Sequence, residues 1–242
     1  MRTIRIYQSG DYQTGETLCL DKAASNHLLR VLRLKDQQAL KLFNGDGQEY
    51  TATLHVDGKR AIAHIESAAN PNNESPNNIH LFQGISKGER MDYAIQKSVE
   101  LGVSSITPLI CERTVVNLKD ERLEKKLAHW KGIAISACEQ SGRCVVPEIH
   151  TPVKFSQAIA CNTDALKITL DPLSQTSLNS LTPVSKYIQI LIGPEGGLSE
   201  SEIIETKANG FNAITLGPRI LRTETAALAA ITSAQLLWGD LS

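Results

Sequence analysis

The sequence lacks most of the patterns that name a chain's chemistry at once. Its five cysteines, Cys19, Cys111, Cys138, Cys144 and Cys161, form no C-x-x-C pair, and their number is odd. Reduced thiols in a cytoplasmic protein are the expectation, rather than a disulfide or zinc framework. No apolar run approaches the roughly 20 residues of a membrane span. The start, Met1 to Gln13, has no apolar core of a signal peptide, so none is expected. There is no G-x-x-x-x-G-K-[ST] and no G-x-G-x-x-G, which leaves a triphosphate or dinucleotide grip without its usual residues. Net charge is −1 over 242 residues, so no global basic field points to nucleic acid. Charge is still uneven. Met1 to Gly45 holds seven Lys/Arg against four Asp/Glu, and Val146 to the end holds six against nine, so the first third leans mildly basic and the last acidic, and on composition alone unpatterned surface charge is the expectation.

What is present divides the chain in two. "ESAANPNNESPNNIH" (Glu66 to His80) is rich in Asn, Pro, Ser and Ala and has little to bury, as a linker does. We place a small domain over 1–68, a linker over 69–78 and a larger domain over 79–242. Before the linker, Ala52, Leu54 and Val56 alternate with polar residues, and "NGDG" and "DGKR" supply turns, so a β-meander is expected. "SNHLLRVLRLK" (Ser25 to Lys35) predicts one short helix with Leu28, Leu29 and Leu32 on one side. After the linker, helical patterns ending at Gly102 and Gly142 alternate with short apolar runs such as "DALKITL", "YIQILIG" and "NAITLG". Continuous runs suit strands buried on both faces, and the alternation predicts an α/β domain with a mostly parallel sheet.

Two segments share one grammar. "YIQILIGPEGGLSESEIIE" and "FNAITLGPRILRTETAALAAI" each read as strand, Gly-Pro, loop, helix. Ser199 and Glu202 make a capping box in the first. Thr223 is the expected N-cap in the second. Loops at the carboxyl ends of parallel strands are where open sheets place ligands. Three glycines in "GPEGG" let the backbone come close to one. Two tight structural turns remain the plainer alternative for either loop alone.

"LIGPEGGLSESEI" and "LGPRILRTETAALAAI" resemble the two C-terminal motifs of the SPOUT-type RNA methyltransferases, in the branch that methylates N3 of a uridine in small-subunit (16S) ribosomal RNA. "NHLLRVLR", "KGERMDYAIQKSVELGV", "ERTVV" and "ACEQSGR" follow that family's order, so the resemblance spans the chain. It implies a trefoil knot in the C-terminal domain, a PUA-like N-terminal β-barrel, S-adenosylmethionine in the knot loops, and a homodimer. It places the cofactor against Gly193, Pro194, Glu195, Gly196 and Gly197 on one side, with Leu170, at the end of its strand, as a third contact. Leu216, Gly217, Ile220, Leu221, Arg222 and Thr223 form the other side. No metal is expected, because a sulfonium already activates its methyl group.

Uracil N3 carries a proton and is not nucleophilic until it leaves, so a base and a stabiliser of imide charge are needed. Arg219, Arg222 and Arg143 are the candidate stabilisers, and Glu195 or Glu224 the base. An acidic residue in a first helical turn, as Glu224 is, is also favoured by the helix dipole alone. Arg2, Arg5, Arg30, Arg33 and Lys35, with Lys87 and Arg90, are the candidates for RNA phosphates. His27 reads as a packed residue beside leucines, and Lys97–Glu100 as a helix-surface ion pair. The expected partner is 16S ribosomal RNA, within the assembled small subunit, with no membrane. Ribose 2′-O-methylation on the same fold, a non-catalytic assembly factor and a nucleotide-dependent enzyme are the rival readings.

Overall fold

The computed structural model describes residues 4–116, 120–160 and 163–241; Arg2 and Cys161 fall outside them. The chain forms two compact units. One comprises Met1–Glu74 with Cys138–Val146, the other Ser75–Ala137 with Pro147–Ser242.

The first unit is built on β1 (Ile4–Tyr7), β2 (Thr17–Cys19), α1 (Lys22–Asn26), β3 (Ala39–Phe43), β4 (Glu49–Asp57) and β5 (Arg60–Ala69). Its sheet runs in the order β1-β3-β4-β5-β2. The meander is present as β3-β4-β5, antiparallel throughout. Alternation decides its inner face: Tyr50, Ala52 and Leu54 are buried with Leu40, Leu42, Ala61, Ala63 and Ile65, while Val56, expected to continue that face, is exposed at the strand's end.

The helix expected from Ser25 to Lys35 is shorter and differently wound. Asp21 caps α1 by accepting from the Ala24 amide at 2.8 Å. A single π-helical turn, His27–Val31, follows, with the Leu32 amide donating to His27 O at 2.9 Å. The wider turn shifts the helical register. Leu28 is therefore buried and Leu29 half-buried, but Leu32 is turned outward.

The last turn of the long helix contributes to this unit rather than to the second. Glu139 accepts from the Tyr7 amide at 3.0 Å. Asn73 donates to Gly142 O at 2.8 Å. No spacing in the sequence announces this return of the chain.

The second unit holds β6 (Asn78–Gly84), α2 (Glu89–Glu100), β7 (Ser105–Ile110), α3 (Asp120–Ser141), β8 (Glu148–Ile149), β9 (Val153–Lys154), α4 (Phe155–Ile159), β10 (Leu166–Leu170), β11 (Tyr187–Ile192), α5 (Glu200–Ala208), β12 (Asn212–Ile214) and α6 (Thr223–Trp238). The sheet order is β12-β10-β11-β6-β7-β8, with β9 also on β7. All its pairings are parallel. The central strands read as apolar runs because both of their faces are covered. Phe82, Leu109 and Leu191 pack with Phe155, Ala158 and Ile159 of α4. The alanine-rich helix α6 packs on α2, β6 and β11, burying Ala226, Ala227, Ala230, Ile231 and Ala234. Small side chains let these elements approach closely. Since β10, β11 and β12 are parallel neighbours, their carboxyl ends and the two Gly-Pro loops emerge at one edge.

Candidate active site

A cavity of about 990 Å³ opens at that edge. Its floor is made by the strand ends Leu170, Ile192 and Ile214. One wall is Gly193 to Leu198, and the other runs through Thr215, Leu216 and Arg219 to Glu224. Ile203, Ile204 and Lys207 of α5 close a third side. Of the residues expected around the cofactor, all line this cavity except Gly217. Arg219 and Glu224 line it too.

The walls are joined by a buried hydrogen-bond chain. Gln83 Nε2 donates to Thr223 Oγ1 at 2.9 Å, and that hydroxyl donates to Gly193 O at 2.6 Å. Thr223 is therefore not the N-cap. Arg222 holds that position, with φ −65° and ψ 154°, and Thr223 is the first helical residue. Its hydroxyl ties one loop to the other instead of satisfying its own helix. Ser199 and Glu202 form the expected reciprocal box at the start of α5. β6 ends directly beneath the first loop, at Gly84. A Cβ on Gly84 would stand 2.3 Å from Pro194 N, so only glycine fits there.

Glu195 is oriented by its neighbours. Its Oε1 accepts from the Lys87 amide at 2.8 Å and lies 3.5 Å from Arg90 Nη1. Its Oε2 is buried and has no partner among the described residues. Oε2 of Glu224, on the opposite wall, is in the same condition. A buried acceptor is ordinarily satisfied by a protein donor, a water or a ligand. Arg90, expected on phosphate, is thus a cavity residue paired with Glu195. Lys87 uses its backbone here and leaves its side chain in solvent.

Two expected arginines are elsewhere. Arg143 is in the first unit and does not line the cavity. It is 5% exposed, and its Nε and Nη2 donate to Glu74 Oε2 at 2.9 and 2.5 Å. Within the chain it is a structural cation, locking the returning segment. Arg5 is likewise committed. Its guanidinium donates to Arg143 O at 2.9 Å, pairs with Glu49 and lies over the Phe43 ring. A guanidinium held this way, on a side chain only 12% exposed, is not offered to a phosphate. Arg30, within the π turn, and Arg33 and Lys35, just after it, are exposed. His27 is half-buried, and Lys97 Nζ meets Glu100 Oε1 at 2.7 Å.

Some cavity residues were not foreseen. Arg113, Asp171, Leu198, Ile203 and Lys207 line it, and Gln83 supports it. Arg113 and Gln83 come from other strands' ends, so no local pattern links them to the loops.

A family model described as an RNA methyltransferase domain matches residues 73–235, and one described as an RNA methyltransferase PUA domain matches 20–66. A ribosomal RNA small subunit methyltransferase E from Buchnera aphidicola is 39% identical, over 98% of this chain and 94% of its own. The crystal structure of another methyltransferase E, from Neisseria gonorrhoeae and bound to S-adenosylmethionine, superposes with a TM-score of 0.94 at 42% identity and full coverage of both chains. A methyltransferase from Legionella pneumophila, in complex with the same cofactor, gives 0.97 at 45%, again over both whole chains. With its matching fold, its two motif loops and full-length relatives of one description, the chain belongs to the RNA methyltransferase family with an N-terminal PUA domain.

Proposed function

We propose that this protein transfers the methyl group of S-adenosylmethionine to N3 of a specific uridine in 16S ribosomal RNA. One observation carries the reading: two Gly-Pro loops, at the ends of parallel strands that flank β10, enclose a cavity with Glu195, Glu224 and Arg219 on its walls.

The cavity fits the cofactor. Leu170, Ile192, Ile214, Leu216 and Leu221 offer apolar surface to an adenine, and the glycines of the first loop expose backbone edges. The unpartnered oxygens of Glu195 and Glu224 await donors, and ribose hydroxyls and the uracil imide N–H are donors. When bound, the sulfonium supplies a methyl group activated without a metal. The chain's own residues do the rest. Glu195 or Glu224 accepts the N3 proton, and Arg219 or Arg222 stabilises the negative charge that spreads onto O2 or O4. The walls hold N3 in line with the methyl group, which accounts for a large share of any such rate.

The uridine must be exposed or flipped from its stack. Arg30, Arg33 and Lys35 of the N-terminal domain would hold the surrounding phosphates, positioning the RNA without reading it. Their exposure supports this role. A homodimer is part of the reading, as is a trefoil knot formed by the last strands. Leu173 and Ile220 stand 91% and 86% exposed beside the cavity, as residues awaiting a second copy do. The substrate is the assembled small subunit, and the compartment is the cytoplasm.

Labelled methyl transfer to unmodified small subunits, followed by nucleoside mass spectrometry, tests the reading. Label is expected in 3-methyluridine. Label in a 2′-O-methyl nucleoside would refute the target atom. Cofactor binding with no transfer to either RNA or subunits would leave an assembly factor.

A further inference from the structure

Resting on that reading of the cavity, we infer that Arg113 is a positioning residue that braces the first cofactor loop. It lies 80 residues before the loop in sequence, in the turn that follows β7. Its Nη1 donates to Gly196 O at 2.9 Å and to Leu198 O at 3.2 Å. These two carbonyls alternate along the loop, and one planar cation fixes both.

The far sides of the same two peptides are also held. The Gly197 amide donates to Pro194 O at 2.9 Å. The Ser199 amide donates to Glu202 Oε2 at 2.9 Å. Both peptide planes are thus pinned at the carbonyl and at the amide, which leaves the loop little freedom to rotate. The neighbouring residue adds a further tie, since the Glu112 amide donates to Glu202 Oε1 at 2.9 Å. The single carboxylate of Glu202 therefore joins the Arg113 turn to the start of α5.

The sequence accommodates the brace. A Cβ on Gly196 would lie 3.1 Å from Arg113 Cβ, so the glycine leaves room for the arginine stem to cross the loop. Lysine, which can also donate twice from one nitrogen, replaces this geometry only in part. It offers a point charge on a flexible stem, whereas the guanidinium is a fixed fork. The guanidinium also reaches the cavity wall itself, so the brace stands where the ligand would press on the loop.

The consequence is preorganisation. With Arg113 in place the loop is already in its binding shape, and binding needs no ordering of the wall. Without it, two carbonyls lose a charged donor, and the loop must be ordered each time.

The test is amide hydrogen exchange and calorimetric S-adenosylmethionine titration on the full chain, for wild type, Arg113→Ala and Arg113→Lys. In the cofactor-free protein, Arg113→Ala should speed exchange at Gly197 and Ser199 and leave the first unit unchanged. Its cofactor affinity should fall about tenfold or more, as loss of hydrogen bonds from a charged donor predicts. Arg113→Lys should recover only part of this, and added guanidinium should recover affinity in Arg113→Ala but not in wild type. Unchanged exchange and affinity in Arg113→Ala would overturn the inference. So would a raised KM for ribosomal RNA with unaltered cofactor affinity, which would make Arg113 an RNA contact. Failure of the wild type itself to bind the cofactor would instead sink the reading of the cavity, while the exchange data would still decide the brace.

Discussion

The loop from Gly193 to Leu198 is held along its length, whereas the loop from Gly217 to Leu221 is held near its ends. Thr223, Lys87, Arg90 and Arg113 all reach the first loop. The second is fixed through Thr215, whose amide donates to Thr176 O at 3.0 Å and whose hydroxyl donates to Gly217 O at 3.1 Å. Gly217, Pro218, Arg219 and Ile220 are all exposed. Two segments with the same grammar have become a preformed wall and an open one. The first suits a small cofactor that must always sit in the same place. The second leaves Arg219 exposed at the cavity's rim.

The sharpest way to break the contrast is to push on the held wall. In Gly84→Ala the new Cβ would meet backbone of both Gly193 and Pro194, with no flexible side chain to yield. We expect about 3 kcal/mol of destabilisation and loss of measurable cofactor binding. Urea melts and calorimetric titration read the two effects. A stable, binding-competent variant would show that the first loop is as adaptable as the second.

Next comes the open wall. Arg219→Ala should lower kcat about a hundredfold while cofactor affinity stays near wild type. Saturation kinetics with small subunits would show it. A loss confined to cofactor affinity would place Arg219 in the cofactor wall and erase the division between the loops.

Thr223→Val tests the link between them. It removes the donor to Gly193 O and the acceptor for Gln83 Nε2. A cost of about 1–2 kcal/mol is expected. A double-mutant cycle with Gln83→Leu should reveal coupling, and strictly additive losses would mean that the chain of bonds does not act as one unit.

The smallest effect on either loop should come from His80, in β6. Its ring stacks on Phe82 at 4.2 Å and faces His150 at 5.4 Å, and Nε2 meets Thr107 Oγ1 at 2.8 Å. Burial, and then His150, depress its pKa from 6.5 to about 4. The unfolded chain takes up that proton near 6.5 and the folded chain near 4. The neutral ring therefore contributes stability above pH 6.5, which is lost as pH falls through about 4. Thermal melts over that window should show a shallower fall in stability for His80→Gln than for wild type. Methyl transfer at neutral pH should not change. Parallel melting curves would mean that His80 titrates in the fold as it does in the unfolded chain.

The sequence by itself determined whatever depends on neighbours along the chain. The apolar runs of β10 and β11, the Ser199–Glu202 box and the two Gly-Pro turns were legible because a strand, a cap and a turn are written within a few residues. The motif order of the two loops likewise carried the resemblance that proved to be the family. Only the tertiary structure decided which distant groups meet. Arg5 and Arg143 looked like surface or catalytic cations, but burial beside Glu49 and Glu74 turned them into structural ones. Thr223 looked like a cap until Gly193 O and Gln83 arrived from other strands. The π turn at His27–Val31 moved Leu32 outward, a change of one residue in winding that apolar spacing does not encode. Arg113 shows the rule most plainly. A lone arginine after a strand has no periodic partner, and its role exists only because parallel strands bring the ends of β7 and β11 to the same edge. A side chain's chemistry is local, but the groups it bonds are chosen by the path of the chain.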